Sequence, residues 1–307
     1  MLPMISHAAD LEAGRDAYYR GDYTAAFAEL QPLADLGNQT ARRYLAYLYL
    51  YGNGVQPDPK KAIGLLRMAA EQGDLLSTYT LGSVYQNGVA EVQSDDEAVR
   101  WYRRAAEQGQ PNAQLNLGSM YRFGRGVPQD DKEAARWISA AAKQGHTRAE
   151  TILGYLYSNG IGVEEDEQTA VKWLIRAAEK DYPEAQYLLA LKYANGTGIS
   201  QDNTRAATLF RLAAGQGNTR AQYNLGVAYA TGQGAPLDLV QSHLWFSLSA
   251  SQGDPDGRDA VSRLEKGMSP DQIEKARKLA EQWQPDEPPA NRPDEEDWEQ
   301  LSRTPSP

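Results

Sequence analysis

Three recurring patterns in this chain have residue types that could carry chemistry. A Gly-x-Gly loop ahead of a helix-like stretch, first seen in YGNGVQPDPKKA at residues 51–62, is the kind of backbone that cradles phosphate. Carboxylates at Asp58, Asp130, Asp166, Asp202 and Asp238 follow five of these loops and are of the type used in paired acid and base catalysis. Trp101, Trp137, Trp173 and Trp245 share one register and have the surface to build an aromatic cage.

The surroundings argue against each of these chemistries. A dinucleotide fingerprint needs a strand before the loop and a third glycine, and a P-loop needs Gly-Lys-Ser/Thr. Here the loop separates two helical patterns, so helix punctuation is the better reading. Gly52, Gly124, Gly160, Gly196 and Gly232 can end one helix in the left-handed conformation, and the second glycine relaxes the turn. Val55, Val127, Val163 or Ile199 can then pack over that end. The aspartates become N-caps of the next helix, with Glu133 after Asp130 and Glu97 after Ser94 suggesting capping boxes. An acid–base pair is not expected at the same place in five units. Tryptophans placed identically in unit after unit are what inter-helix packing produces, each stabilising by roughly 1.5–3 kcal/mol through burial. The absence of cysteine removes disulfides, thiolate catalysis and thiolate metal sites, and His7, His146 and His243 are scattered. A surface or hydrogen-bonded structural role is expected for each histidine. No catalytic residue, metal site or cofactor is expected.

The elements behind these patterns are copies of one another. Six consecutive units of 36 residues run without insertion over 41–76, 77–112, 113–148, 149–184, 185–220 and 221–256. The third, AQLNLGSMYRFGRGVPQDDKEAARWISAAAKQGHTR, serves as the type. A small residue, Leu, a small residue and Tyr fall at positions 1, 5, 6 and 9, as in Ala113, Leu117, Gly118 and Tyr121, which places them on or beside one helix face. A second helical pattern has Ala at position 22, a bulky residue at 25 and small residues at 29 and 30, such as Ala141 and Ala142. Such a helix pair is too short to bury its apolar faces alone and must stack on its neighbours.

These residues resemble the Sel1-like repeat family, a relative of the tetratricopeptide repeat, over 41–256. The resemblance rests on Ala-x-x-x-Leu-Gly-x-x-Tyr-x-x-Gly-x-Gly-Val-x-x-Asp, then Ala, Trp, Ala-Ala and Gly at fixed spacing. Departures are local: Ala90 replaces the second loop glycine, Ser94 the aspartate, Ala235 the valine and Asp181 the glycine closing the fourth unit. The resemblance implies an all-α fold, a right-handed α-solenoid of stacked antiparallel helix pairs. Residues 11–40 look like a tetratricopeptide-type capping hairpin turning at Gly21-Asp22-Tyr23. Residues 257–283 look like C-terminal capping helices, with Ser269 and Pro270 opening the last one. Residues 284–307 are rich in proline and acid and are expected to be disordered, with Trp298 and Leu301 the only material for a short linear motif.

Charge narrows the partners. Of the net charge of −10, residues 284–307 carry −5, and the remainder has no basic stripe, so nucleic acid is not an expected partner. No apolar run approaches the roughly 20 residues needed to span a bilayer. Residues 1–10, MLPMISHAAD, look like the end of a secretory signal lacking its basic and apolar parts. The expected compartment is the periplasm if the true start lies upstream and the cytoplasm otherwise, and the expected state is a monomer.

Function is expected beside the repeated stripe. Positions 3, 4, 7 and 11 of each first helix vary, and in tetratricopeptide relatives the matching face lines a concave groove. They supply Tyr44, Tyr47, Tyr51, Tyr79, Ser83, Asn87, Asn116, Ser119 and Phe123 in the first three units. Tyr155, Asn159, Tyr187, Asn195, Tyr223 and Asn224 follow in the others. Tyrosine offers rigid contact area with a polar tip, and asparagine pairs with a peptide backbone. The resemblance implies a non-enzymatic adaptor of signalling, cell-envelope or host-interaction complexes that binds a protein or peptide. Two alternatives stand beside it. One is a β-lactam-binding or hydrolysing enzyme, as in cysteine-rich members, although their cysteines and any Ser-x-x-Lys motif are missing here. The other is a spacer array whose acidic tail does the binding.

Overall fold

A computed structural model describes residues 9–88 and 93–286. The described residues form helices and turns with no strand, and the chain divides into two compact units at residues 144 and 145. Unit 1 holds α1 (Leu11–Tyr19), α2 (Tyr23–Asp35), α3 (Gln39–Tyr51), α4 (Pro59–Glu71), α5 (Leu75–Asn87), α6 (Asp95–Glu107), α7 (Pro111–Phe123) and α8 (Asp131–Lys143). Unit 2 holds α9 (Thr147–Asn159), α10 (Glu167–Ala178), α11 (Pro183–Asn195), α12 (Asn203–Gly215), α13 (Thr219–Thr231), α14 (Leu239–Ser251), α15 (Pro255–Leu264) and α16 (Pro270–Gln282), with a 3-10 turn over Glu265–Gly267. Within each unit the helices up to α15 pack each on the next in sequence, which is the stacked-pair architecture that the periodicity predicts, and α16 folds back onto α14.

Short polar signals set the helix ends. Asp58, Asp130, Asp166, Asp202 and Asp238 each cap a second helix by accepting from a backbone N–H of its first turn. Ser94 does the same for α6. The capping boxes suggested by Glu97 and Glu133 are not formed. Glu97 instead pairs forward with Arg100 at 2.7 Å, and Glu133 takes Arg136 at 2.7 Å, because an arginine one turn on offers a charged donor. A capping box does form at Ser269 and Gln272, where α16 begins.

Gly124 ends α7 at φ +65°, and the first glycine of every loop does the same for its helix. The second glycine has a stricter role than relaxing the turn. A Cβ on Gly126 would run into the carbonyl of Asp95 at the start of α6, so the loop lies directly on the preceding repeat's second helix. Asp181 occupies the repeat-closing position, which is glycine elsewhere, and holds φ +56°.

Packing follows the predicted stripe. Leu45, Leu81 and Leu117 in unit 1 are fully buried, and Leu153, Leu189 and Leu225 in unit 2 are nearly so. The small residue at position 6 admits the partner helix: a Cβ on Gly118 would sit 2.7 Å from Ile138, and one on Gly226 would sit 2.7 Å from Phe246. Trp137 and Trp245 are buried and Trp101 and Trp173 half-buried, as packing residues rather than an open cage. Two position-9 tyrosines are met by the preceding repeat's second helix, where Arg67 donates to Tyr85 and Arg103 to Tyr121, each at 2.7 Å, and Tyr49 takes Lys61 of its own repeat.

A further joint links neighbouring repeats at position 2. Gln114 donates to the Ala106 carbonyl at 3.1 Å and accepts from Gln144 at 2.8 Å. Gln222 repeats the pattern with Ala214 and Gln252. In the fourth repeat Glu150 stands in this place, fully buried, with Arg176 at 2.8 Å and Lys180 at 2.9 Å.

Candidate functional site

The fifteen variable-face residues have different environments. At the start of unit 1, Tyr44, Tyr47 and Tyr51 on α3 meet tyrosines of α1. The Tyr18 ring lies 5.1 Å from Tyr44 and 6.3 Å from Tyr47, and the Tyr19 and Tyr44 hydroxyls are 2.8 Å apart. Burial pushes the Tyr51 phenol up to about 12. It raises Tyr18 as well, with Tyr51 and Tyr23 adding to the effect. These phenols therefore serve as neutral hydrogen-bonding groups and not as bases at ordinary pH.

Three of the expected groove residues are not on an open surface. Tyr44, Tyr79 and Ser83 are buried, at 6%, 4% and 7% exposure. Tyr44 is covered by α1. Tyr79 faces Tyr102 of α6, with ring centres 5.8 Å apart, and Ser83 lies one turn further along α5. In both places an adjacent helix carries a large aromatic residue that reaches across a position predicted to be free. Tyr47, Asn116 and Ser119 are half-buried, with Tyr47 3.2 Å from the Thr80 hydroxyl and Ser119 donating to the Leu115 carbonyl. Asn87 is exposed and donates to Ser83 at 3.2 Å, and Phe123 is 71% exposed.

Unit 2 brings the remaining six into two clefts. The first, about 270 Å³, lies between α9 and α11 and includes Tyr155, Asn159 and Asn195. Tyr155 is 48% exposed, and Leu188 and Leu191 add apolar surface. Lys192 donates to both oxygens of Glu167, at 2.9 and 2.7 Å, and the Ser158 hydroxyl donates to Glu167 at 3.2 Å. The second cleft, about 510 Å³, lies along α11, α13 and the start of α15, and includes Tyr187, Tyr223 and Asn224. Arg220, Asp254 and Asp256 line it too, with Arg220 3.8 Å from Glu184. Burial raises the Tyr187 phenol, partly offset by Arg220. Tyr187 and Tyr223 rest on Phe210 and Phe246, with centres 6.1 and 5.3 Å apart, so their rings are fixed before any ligand arrives.

Several lining residues were missed by the sequence reading. Leu188 and Leu191 occupy positions 4 and 7 of the same variable register, which is the signal that could have found them. Glu167 and Lys192 come from different repeats, and no local pattern joins them. A Ser–His–carboxylate string also exists, with Ser247 3.1 Å from His243 and His243 2.9 Å from Glu265. His243 is only 1% exposed and Arg277 also holds Glu265, so this string ties α14 to α16 and does not line either cleft. His146 caps α9, and His7 lies outside the described residues. The described residues hold no group of three His, Cys, Asp or Glu suited to a metal, and no described helix is long and apolar enough to cross a membrane.

Comparison with known proteins agrees with this architecture. A family model described as the Sel1 repeat matches residues 40–74, 76–110, 111–146, 147–182, 183–218 and 219–254. Among solved structures, the chain is similar to c5321, a protective antigen of uropathogenic Escherichia coli with an SLR fold, at 30% identity and a TM-score of 0.80. That match covers 89% of this chain and 59% of the antigen. It is also similar to a Sel1 repeat protein from Oxalobacter formigenes, at 32% identity and a TM-score of 0.72, covering 79% of this chain and all of that one. No match was found among curated proteins.

Proposed function

The chain belongs to the Sel1 repeat family, and from that premise we propose that it is a non-enzymatic scaffold binding a protein or peptide along the variable face of its first helices. The observation that carries this reading is the division of α9, α11 and α13 into two sides. Leu153, Leu189 and Leu225 are consumed by packing, while Tyr155, Asn195, Tyr223 and Asn224 line clefts. Pre-oriented tyrosines beside asparagines give contact area with little ordering cost and a means of holding peptide groups.

Cross-linking capture from the native cell tests this. A variant with alanine at Tyr155, Asn159, Tyr223 and Asn224, all at least partly exposed, should keep its helical content but lose the partner held by the parent chain. Retention of the same partner by the variant would remove this face from consideration. Loss of every partner on deletion of 287–307 would instead assign binding to the acidic tail.

A further inference from the structure

We propose that the cleft between α9 and α11 is a subsite for one large apolar side chain of an extended peptide. The proposal rests on the scaffold reading and gives it a chemistry. Size is the first argument: at about 270 Å³ the cleft falls below the roughly 300–1,000 Å³ of small-molecule sites, and suits a single side chain with the main chain passing over it.

Charge is the second. Lys192 and Glu167 are the two ionic groups lining this cleft, with side chains 16% and 25% exposed, and they bond to each other. Ser158 takes up part of the remaining capacity of Glu167. The cleft is therefore neutral and offers no counter-ion. A charged occupant would lose hydration without gaining a partner, whereas a leucine, methionine or phenylalanine side chain would cover Leu188, Leu191 and the Tyr155 ring. The rim supplies the third argument. Asn159 donates one amide N–H to the Tyr155 carbonyl at 2.8 Å. Asn195 is exposed at the end of α11 and lines the cleft with an amide that can both donate and accept. Two amide side chains beside an apolar floor match an extended peptide, which presents N–H and C=O on either side of each buried side chain. The α11–α13 cleft differs: Arg220 and Asp256 are exposed there, so it suits a polar side chain.

The test uses the full chain, labelled with ¹⁵N, and capped serine pentapeptides with leucine, phenylalanine, lysine or glutamate at the centre. The leucine and phenylalanine peptides should give saturable shifts at the amides of Tyr155, Leu191 and Asn195. They should bind at least about fivefold tighter than the lysine and glutamate peptides, and Asn195→Ala should weaken them by about fivefold with unchanged melting. Equal binding of the charged peptides, shifts confined to α13, or no saturable shift overturns the proposal. If deleting 287–307 moves these same amides and tightens the leucine peptide, the chain's own tail is the occupant and an external peptide is ruled out. Should the peptides fail while the four-alanine variant still loses its cross-linked partner, only the subsite chemistry falls. If that partner is also retained, the scaffold face falls with it.

Discussion

Individual residues show how narrowly the repeat constrains its loops. Gly126 combines φ +64° with a carbonyl where its Cβ would be, so Gly126→Ala must either move the loop or unpick the start of α6. The expected cost is about 2–4 kcal/mol, from the left-handed penalty and the clash together. Asp181 is the converse case, an L-residue held at φ +56° where other repeats have glycine. Asp181→Gly should stabilise by about 0.5–1 kcal/mol, less whatever its contact with Gln186 supplies. Chemical denaturation of both variants checks the pair, since a merely flexible loop would leave both near zero. The sequence showed the glycine rule plainly, because loop chemistry is local. It did not show that Tyr44, Tyr79 and Ser83 would be covered, since their burial depends on Tyr18, Tyr19 and Tyr102 in adjacent helices.

At the scale of elements, helix existence and order were legible, because a 36-residue period repeats its caps and apolar positions six times. The clefts were only partly so: their asparagines and tyrosines stood out at variable positions, while the Lys192–Glu167 pair joins residues 25 apart. The last helix offers a test of how such links act. Glu265 accepts from His243 of α14 and Arg277 of α16, and these hydrogen bonds, that of His243 foremost, hold its carboxyl below the usual glutamate range. A carboxylate lowered in the folded state stabilises above its ordinary value of 4.5 and loses that contribution as pH falls through the lower folded value. Acidification below pH 4.5 should therefore loosen α16 before α13, as read by hydrogen exchange corrected for intrinsic rates. Glu265→Gln should remove that extra acid sensitivity, and an unchanged acid response would show that the link does not hold α16.

For the molecule as a whole, stacked repeats make stability a sum of local terms and nearest-neighbour joints. Leu117 in unit 1 is fully buried, so Leu117→Ala should cost about 2–5 kcal/mol as a cavity. The loss should appear first as reduced hydrogen-exchange protection in α7 and α8, and less in α13 and α14. Uniform loss across both units would mean that they unfold as one body.

The position-2 joint carries a consequence for length. Gln114 needs only a backbone carbonyl from the repeat before it, and its other partner, Gln144, belongs to its own repeat. Gln222 is fastened in the same way, whereas Glu150 pairs with Arg176 and Lys180, and Gln186 reaches the side chain of Asp181 in the repeat before it. An array built this way can grow or shrink by duplication and deletion in steps of 36 residues, while any other step puts the fastening out of phase. Copy number can then change at the glutamine joints without redesign, while the joints at Glu150 and Gln186 must carry their own partners with them.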